Sequence, residues 1–359
     1  MAYTTIDDPL QYFNTVLYTG NAADGSSTTQ DITGVGFQPD WVWLKGRNNA
    51  NNHVVDDSVR GANKHLFPDL QNAENTSTEY LKSFASDGFQ LGGDGAINGN
   101  GNTYVAWNWL AGGSASSNSN GSITSSVSAN TTAGFSIVSY TGTTGGASST
   151  IGHGLGVTPD LVILKPRSYT GAWWWAQKGR SNKVLELQNN NAEVDPSSSF
   201  GGGGLKYSTF TSTVFGGTDG TSNDDLWNTN GATYIAYCFA EKKGYSKIGS
   251  YTGNGNADGT FVYTGFRPAW VITKNIGSSH SWWILDNKRD ALNPTNGRLV
   301  AEESNVEDSA GNSHDFLSNG FKLRTSGSAD VNGSGDTMVY MAFAESPFVN
   351  SSGIPCNAR

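Results

Sequence analysis

The acidic residues of this chain come closest to the spacing of a catalytic pair. Paired carboxyl groups cleave glycosidic bonds when they lie about 5 Å apart for retention or about 6.5–9.5 Å apart for inversion. The nearest match to a Glu-x-Asp-x-x-Glu strand is residues 193–198, where Ser198 replaces the last acid. A second acidic group, at residues 302–308, lacks the alternation of a strand. We therefore predict that the protein is not an enzyme.

Histidine, cysteine and glycine do not form a known catalytic motif. The five histidines are scattered, with no His-x-x-x-His spacing, and there is no Gly-x-Ser-x-Gly or P-loop sequence. The two cysteines cannot form a disulfide framework. Cys238 occupies a small position in a predicted strand, and Cys356 lies in the C-terminal tail.

Oxygen-rich Asx loops recur at three places, and calcium is the metal that such loops would suit. The third loop carries Asp330, Asn332 and Asp336 in an Asp-x-Asn-x-x-x-Asp run. It lacks the distal Glu of an EF-hand, and tight turns also require Asx and Gly. We expect no cofactor, with calcium at these three residues as the alternative.

Consecutive tryptophans give the main indication of a binding surface. Trp173, Trp174 and Trp175 are adjacent, as are Trp282 and Trp283. Because side chains alternate across a strand, at least one ring of each group faces away from its neighbour. If one sheet face is accessible, such a ring could stack on a sugar or anchor a protein partner. The alternative is that both faces are buried, one in a sandwich and one against an adjoining repeat or subunit.

These residues belong to a unit that occurs three times. Its signature is a Pro-led apolar run at residues 36–45, 156–165 and 265–274. Each run is preceded by Tyr-Thr-Gly and followed by further strand patterns, and the runs begin 120 and 109 residues apart. A repeat of this length is a small domain, because solenoid units have about 20–50 residues.

The repeats define the predicted domain organisation. Repeat one spans residues 1–111, repeat two 134–243 and repeat three 244–348, with a C-terminal tail at 349–359. Residues 112–133 are rich in Gly and Ser and are predicted to be a flexible linker.

The two connections between repeats differ in length. Ile123 and Val127, in the second half of the long linker, could add a strand to a neighbour. Only a short segment separates repeats two and three. We therefore expect repeat one to be more independent and the other two to form a close pair.

Strand periodicity predicts an all-β protein of three tandem β-sandwich domains with little helix. Trp41 and Trp43 alternate with Val42 and Leu44, so both faces of this strand are apolar. Such a strand is covered on both sides, which requires two packed sheets. Pro39 precedes the strand, where a missing N–H costs least. Asp-Gly and Asn-Gly between aromatic residues predict hairpins in repeats one and three.

The composition opposes several functions. A net charge of −9, from 31 acidic and 22 basic residues, disfavours binding to nucleic acid or an anionic membrane. Residues 1–9 have neither the basic nor the apolar region of a secretory signal. No apolar stretch approaches the ~20 residues that span a bilayer. We expect synthesis in a cytoplasm, no signal peptide and no membrane insertion.

Several short motifs place the repeat in a known context. They are residues 36–45, Asp57-Ser58-Val59-Arg60-Gly61, residues 86–89 and Thr103 to Trp107. Together they resemble a domain of unknown function found, often in tandem, in virion proteins of tailed phages, especially marine ones. The resemblance implies concanavalin A-like or SPRY-like sandwiches, a location in the virion and other virion proteins as partners.

We therefore expect a virion structural protein, a head or tail appendage, fibre or decoration. It would form a homo-oligomer and present surfaces for host attachment. A lectin-like module that recognises host surface glycan is the alternative, and a glycan-cleaving enzyme is a third hypothesis. The first two differ in whether an exposed aromatic and Asx site exists.

Overall fold

Strands dominate the computed structural model, which confirms the predicted all-β class. The helices that lie wholly in the described ranges are α1 (Gly95–Asn98), α2 (Ala329–Asn332) and two single 3₁₀ turns. No helix in these ranges is long and apolar enough to cross a membrane. The structure describes residues 3–23, 25–143, 149–180, 182–196, 204–218 and 227–356.

Repeat one is a sandwich of two antiparallel sheets. Its strands are β1 (Phe13–Thr19), β2 (Ser26–Thr33), β3 (Trp41–Gly46), β4 (Val54–Asp57), β5 (Lys64–His65), β6 (Asn75–Thr76), β7 (Leu81–Ala85), β8 (Gly88–Gly93) and β9 (Thr103–Trp109). The larger sheet has the order β1-β9-β3-β4, and the smaller sheet has the order β2-β8-β7.

Repeat two uses the same plan and gains two strands from the preceding segment. Its strands are β10 (Ser116–Asn118), β11 (Ser125–Asn130), β12 (Phe135–Thr141), β13 (Thr150–Gly152), β14 (Leu161–Pro166), β15 (Trp174–Gln177), β16 (Leu185–Glu186), β17 (Gly204–Leu205), β18 (Val214–Thr218) and β19 (Thr233–Phe239). The sheets have the orders β10-β11-β12-β19-β14-β15-β16 and β13-β18-β17.

The segment 112–133 therefore differs from the predicted flexible linker. Strand β11 pairs with β12 along its whole length, and β10 pairs with β11. Ile123 and Val127 are buried in the sandwich core of repeat two. Burial of these two apolar side chains anchors a segment that its Gly and Ser content alone marks as flexible.

Repeat three joins its two layers into one sheet. Its strands are β20 (Ser246–Thr252), β21 (Phe261–Tyr263), β22 (Phe266–Asn275), β23 (Trp283–Asp286), β24 (Thr295–Val300), β25 (Asp308–Leu317), β26 (Gly320–Leu323) and β27 (Thr337–Pro347). The order is β20-β27-β22-β23-β24-β25-β26-β21, because β24 pairs with both β23 and β25. Pro268 lies inside β22 rather than before it, at a register shift that accommodates its missing N–H.

The two predicted hairpins are confirmed. Phe84 lies opposite Phe89 across β7 and β8, and Phe316 lies opposite Phe321 across β25 and β26. Gly88 has a φ of 148°, and a Cβ there would lie 1.9 Å from a backbone oxygen of β2. Glycine is therefore required where the hairpin pairs closely with the neighbouring strand β2.

The Pro-led strands have two buried faces with different coverings. Val42 and Leu44 point into the sandwich core of repeat one, whereas Trp41 and Trp43 point into a core shared by all three repeats. This central aromatic core brings rings of different repeats together. Its contacts include Trp41 with Tyr237 at 4.6 Å between ring centroids, Trp109 with Trp270 at 5.6 Å and Trp175 with Trp282 at 4.9 Å. Repeat one is thus packed against both other repeats, and the expectation that it is more independent is wrong.

Candidate functional site

The five tryptophans predicted to bind a ligand are all buried. None is more than 3% exposed. Trp173, Trp175 and Trp282 lie in the central aromatic core, whereas Trp174 and Trp283 lie in the sandwich cores of their own repeats. The alternation across each strand is as predicted, but neighbouring repeats cover the face that a sugar would need. These rings offer no accessible surface for stacking.

The Asx loop of repeat three is organised by hydrogen bonds within the protein. Asn332 Nδ2 donates to the carbonyls of Thr325 at 2.7 Å and Asn256 at 2.9 Å, and its Oδ1 accepts from Asn254 N at 3.0 Å. Asn98 of repeat one and Asn228 of repeat two accept the equivalent backbone N–H, which follows the first strand of the repeat. The recurrence of this asparagine is therefore explained by its bond between two distant segments of the same repeat.

The two aspartates of that loop have separate partners. Asp330 Oδ1 accepts from His280 Nδ1 at 2.8 Å, and Asp336 Oδ2 accepts from Asn275 Nδ2 at 3.0 Å. Within the described ranges no group of three His, Cys, Asp or Glu side chains is placed to hold a metal. The three residues predicted for calcium thus hold different loops together.

One equivalent position of the three repeats forms a hydrogen bond between repeats. The residue directly before β4, β15 or β23 donates from its side chain across a boundary to the same carbonyl position. These bonds are His53 Nε2 to Val300 O at 3.0 Å, Trp173 Nε1 to Phe67 O at 2.8 Å and Trp282 Nε1 to Glu186 O at 3.2 Å. Repeat one therefore binds repeat three, repeat two binds repeat one, and repeat three binds repeat two.

His53 is fixed as a neutral imidazole within this set. Trp43 Nε1 donates to His53 Nδ1 at 2.9 Å, so the ring proton lies on Nε2, which donates to repeat three. Burial, together with the nearby Lys45 ammonium, holds the pKa of His53 well below its usual range. The imidazole thus serves as a neutral donor and acceptor.

A lysine ends each Pro-led run, and all three are fully buried. Lys45 Nζ donates to Ser304 O of repeat three at 3.1 Å, and Lys165 Nζ donates to Gln71 O of repeat one at 3.3 Å. Lys274 Nζ donates to carbonyls of its own repeat. Ser304 and Gln71 occupy the same position in their repeats, one residue before a recurring Asn-x-Glu.

Burial sets the protonation of these lysines. It lowers the pKa of Lys165 to about 7 and the pKa of Lys45 to about 8. Burial also raises the pKa of Asp69 to about 7. The charge of Asp69 partly offsets the decrease in the pKa of Lys45. Lys165 has Arg60 as its charged neighbour, which lowers its pKa further.

Repeat three contains the same combination of lysine and acid. Burial lowers the pKa of Lys274 to about 8 and raises the pKa of Glu302 to about 7. Glu302 Oε2 accepts from Trp282 N at 3.0 Å, and Gln188 Oε1 accepts from Trp173 N at 2.8 Å. A neutral glutamine thus occupies the acid position in repeat two, where the lysine has the lowest pKa.

Two of the three boundaries carry a two-point ion pair. Arg47 of repeat one binds Glu307 of repeat three, and Arg167 of repeat two binds Glu74 of repeat one. At the third boundary Ile276 occupies the arginine position, and only the backbone bond from Glu193 N to Ile276 O, at 3.0 Å, is kept.

A buried aspartate is present at a boundary only where the neighbouring repeat supplies a side-chain donor for it. Tyr237 OH donates to Asp57 Oδ2 at 2.8 Å, and Trp107 Nε1 donates to Asp286 Oδ2 at 3.0 Å. At the third boundary, between repeats three and two, Met341 occupies the donor position. Met341 lies opposite Ile248 in β20, and Tyr237 lies opposite Ile137 at the equivalent place in β12. The acceptor position there is the uncharged Gln177, whose Nε2 donates to Gly249 O at 2.8 Å.

The cyclic order of these contacts closes the three repeats on one another. Each boundary uses one surface of the first repeat and a different surface of the second. Contacts of this heterologous kind form a ring when the rotation between units closes. Equivalent positions of the three repeats therefore form, within one chain, the kind of contacts that join the subunits of a cyclic trimer.

A separate cleft of about 350 Å³ lies on the outside, beside the start of the chain. Tyr3, the segment that joins repeats two and three, and the end of β21 line it together. Tyr3 OH lies 2.9 Å from both Tyr263 OH and Gly265 O. Lys243 Nζ lies 4.2 Å from the centre of the Tyr3 ring. This cleft combines exposed aromatic surface with polar groups.

The family comparison agrees with the extent of the repeated architecture. The profile of Domain of unknown function (DUF7483) matches residues 8–347. The chain belongs to this family. The DUF7483 match covers all three repeats as one unit. No curated protein matches the chain.

Some functional positions of this DUF7483 chain were missed from the sequence. Lys45, Lys165 and Lys274 all end a Pro-led run, and this recurrence was the available signal for a shared role. The Asn-x-Glu that contains Glu74 also recurs, but such a polar segment is equally typical of a turn. Tyr263 was not predicted because it comes close to Tyr3 only through the fold.

Proposed function

We propose that the protein is a structural component of a phage virion, a head or tail appendage that presents surfaces for host attachment. The observation that carries this proposal is the cyclic closure of the three repeats. An imidazole or indole N–H donor bridges every boundary between repeats, and buried lysines and two-point ion pairs reinforce two of the three boundaries. A scaffold for display requires such internal contacts and leaves the outer loops free to vary.

The resemblance to tandem domains of virion proteins supports the same proposal. It implies other virion proteins as partners and the virion as the location. Homo-oligomerisation is part of the proposal, because an appendage combines several copies of its subunit. A chain of 38.0 kDa that has already closed its own ring would offer outer surfaces for these contacts.

Particle labelling tests the proposed location. Antibody raised against the purified chain should place gold on the head or tail of tailed particles released by cells that carry the gene. An antibody against a cytoplasmic host protein is the control. Recovery of the chain only in the soluble lysate, with unlabelled particles, would reject a virion role.

Mass photometry at micromolar concentration tests the oligomer separately. The proposal predicts species at multiples of 38.0 kDa. A single species at the mass of one chain would reject the homo-oligomer and leave the labelling result to decide the location.

A lectin-like function is the second candidate. Burial of the consecutive tryptophans removes the surface on which it was first based. The cleft beside Tyr3 and Tyr263 provides a different one.

A further inference from the structure

Strand β21 presents two aromatic side chains to the outside. Phe261 is 43% exposed and Tyr263 is 54% exposed, whereas Val262 between them is buried. The strand lies at the edge of the sheet of repeat three. Exposed aromatic rings of this size on neighbouring outward positions are a typical feature of binding surfaces.

The equivalent strands of the other repeats show that the sandwich does not require these rings. Tyr263 lies opposite Gly320 just as Thr33 of repeat one lies opposite Gly88. By the same register, Phe261 corresponds to Asp31 of repeat one. Repeat two has Thr150 and Gly152 at the two positions. The aromatic pair is therefore specific to repeat three, at the place where the cleft forms.

Hydrogen bonding orients the tyrosine hydroxyls in the cleft. Tyr3 OH has one proton, and Gly265 O can only accept it, so Tyr263 OH donates to Tyr3 OH. The oxygen of Tyr263 then keeps its lone pairs for a ligand. The ring of Tyr263 is held in place at its edge while more than half of the residue stays exposed.

The charges of the cleft are unbalanced toward positive. Glu241 is the acid of the lining, and it is engaged by Lys247 Nζ at 2.8 Å and by Ile248 N at 2.9 Å. Lys243 rests on the Tyr3 ring and makes no ion pair with any residue in the described ranges. An ammonium group that faces a cleft without a carboxylate partner favours an anionic group of a ligand.

We propose that this cleft binds an acidic saccharide, with a sugar ring stacked on Tyr263 and its carboxylate paired with Lys243. A cleft of about 350 Å³ accommodates one or two sugar rings. The flat, amphipathic tyrosine suits the apolar face of a pyranose, and the tyrosine oxygens supply partners for its hydroxyls. The site deepens the proposed attachment role, because it would recognise host surface glycan.

Binding is tested with the full chain and defined oligosaccharides. Tetragalacturonate and tetramannuronate serve as acidic probes, and the full methyl ester of tetragalacturonate serves as the matched neutral probe. Saturation-transfer NMR and titration calorimetry at low ionic strength should detect the acidic probes with a dissociation constant on the order of 1 mM. The ester should bind about fivefold more weakly, and added salt should remove this difference.

Two variants locate the site. Tyr263→Thr places the residue of repeat one at this position and should weaken all probes about tenfold. Lys243→Ala should weaken the acidic probes about fivefold and leave the ester unchanged. Leu292→Thr, at a 77% exposed residue of repeat three, and Lys183→Ala, in repeat two, are controls that should change nothing.

Three results would overturn the saccharide site: no binding of either acidic probe, equal affinity for acid and ester, or affinity that Tyr263→Thr does not change. If Tyr263→Thr loses the circular dichroism of the parent, Lys243→Ala decides the outcome alone. Particle labelling does not depend on saccharide, so this proposal and the virion proposal can fail separately.

Discussion

Arg47 of repeat one and Glu307 of repeat three form a two-point ion pair, with Nε to Oε2 and Nη2 to Oε1 distances of 2.9 Å. They are 260 residues apart in the chain. Glu307 N also donates to Arg47 O at 2.7 Å, so backbone and side chain join the first repeat to the last. A row of three domains would leave these ends apart, whereas here they meet.

Repeat one expressed alone, as residues 1–111, should fail to form a compact monomer. Isolation would expose Trp41, Trp43 and Trp107, which neighbouring repeats cover in the full chain. An apolar patch of this size promotes association. Size-exclusion chromatography and a dye that binds apolar surface should show aggregates or a loosely packed state. A sharp monomer peak with the near-ultraviolet circular dichroism of fixed aromatic rings would contradict this.

Tyr237→Phe should reduce the free energy of unfolding by about 1–3 kcal/mol, since it removes a donor to the buried carboxylate of Asp57. Met341→Leu is the control. Met341 occupies the same position in repeat three, and a volume-conserving change there should cost less than about 1.5 kcal/mol. Chemical denaturation measures both. Equal losses would mean that the tyrosine hydroxyl has no role between the repeats.

Lys165→Met should flatten the rise of stability above neutral pH. The pKa of Lys165 is about 7 in the fold, against 10.5 when the side chain is exposed. Between these values the unfolded chain binds more protons, so the free energy of unfolding increases as pH rises from about 7 to 10.5. This lysine accounts for roughly 3–5 kcal/mol over that interval. The test is denaturation at several pH values, with Lys183→Met as an exposed control; an unchanged slope for Lys165→Met would show that this lysine is not buried as described.

Glu302→Gln should change how the free energy of unfolding depends on pH below neutrality. Burial raises the pKa of Glu302 to about 7 from 4.5, so the folded state binds more protons and stability falls as pH rises through this interval. Removal of the carboxyl group should abolish a fall of roughly 3 kcal/mol. Gln188 shows that glutamine fits the position in repeat two. The exposed change Asp31→Asn, measured in parallel, should leave the profile unaltered.

Local patterns predicted the strands and hairpins because their causes are local. Alternation marked both faces of the strand that carries Trp41 and Val42, and Asp-Gly marked the turn before Phe89. What covers the second face depends on the contacts between repeats, which no single repeat specifies. The structure therefore matches the second of the two alternatives for the consecutive tryptophans, in which an adjoining repeat covers the outer face.

The outer cleft could not be predicted from the sequence, because it also depends on contacts between distant parts of the chain. Tyr3 and Tyr263 are 260 residues apart, and each alone is an ordinary surface tyrosine. The recurring lysines could have been recognised, because Lys45 and Lys165 end the same run. Their role required the positions of Gln71 and Ser304 in neighbouring repeats.

Hydrogen exchange of the three Pro-led strands as a function of denaturant tests the closure of the repeats most directly. Peptides from β3, β14 and β22 report one strand of each repeat, and all three strands lie against the central aromatic core. If the ring is one cooperative unit, their amides should become exchangeable at the same denaturant concentration with the same slope. Exchange of the β3 peptide in a separate, earlier transition, while β14 and β22 stay protected, would contradict the closed ring.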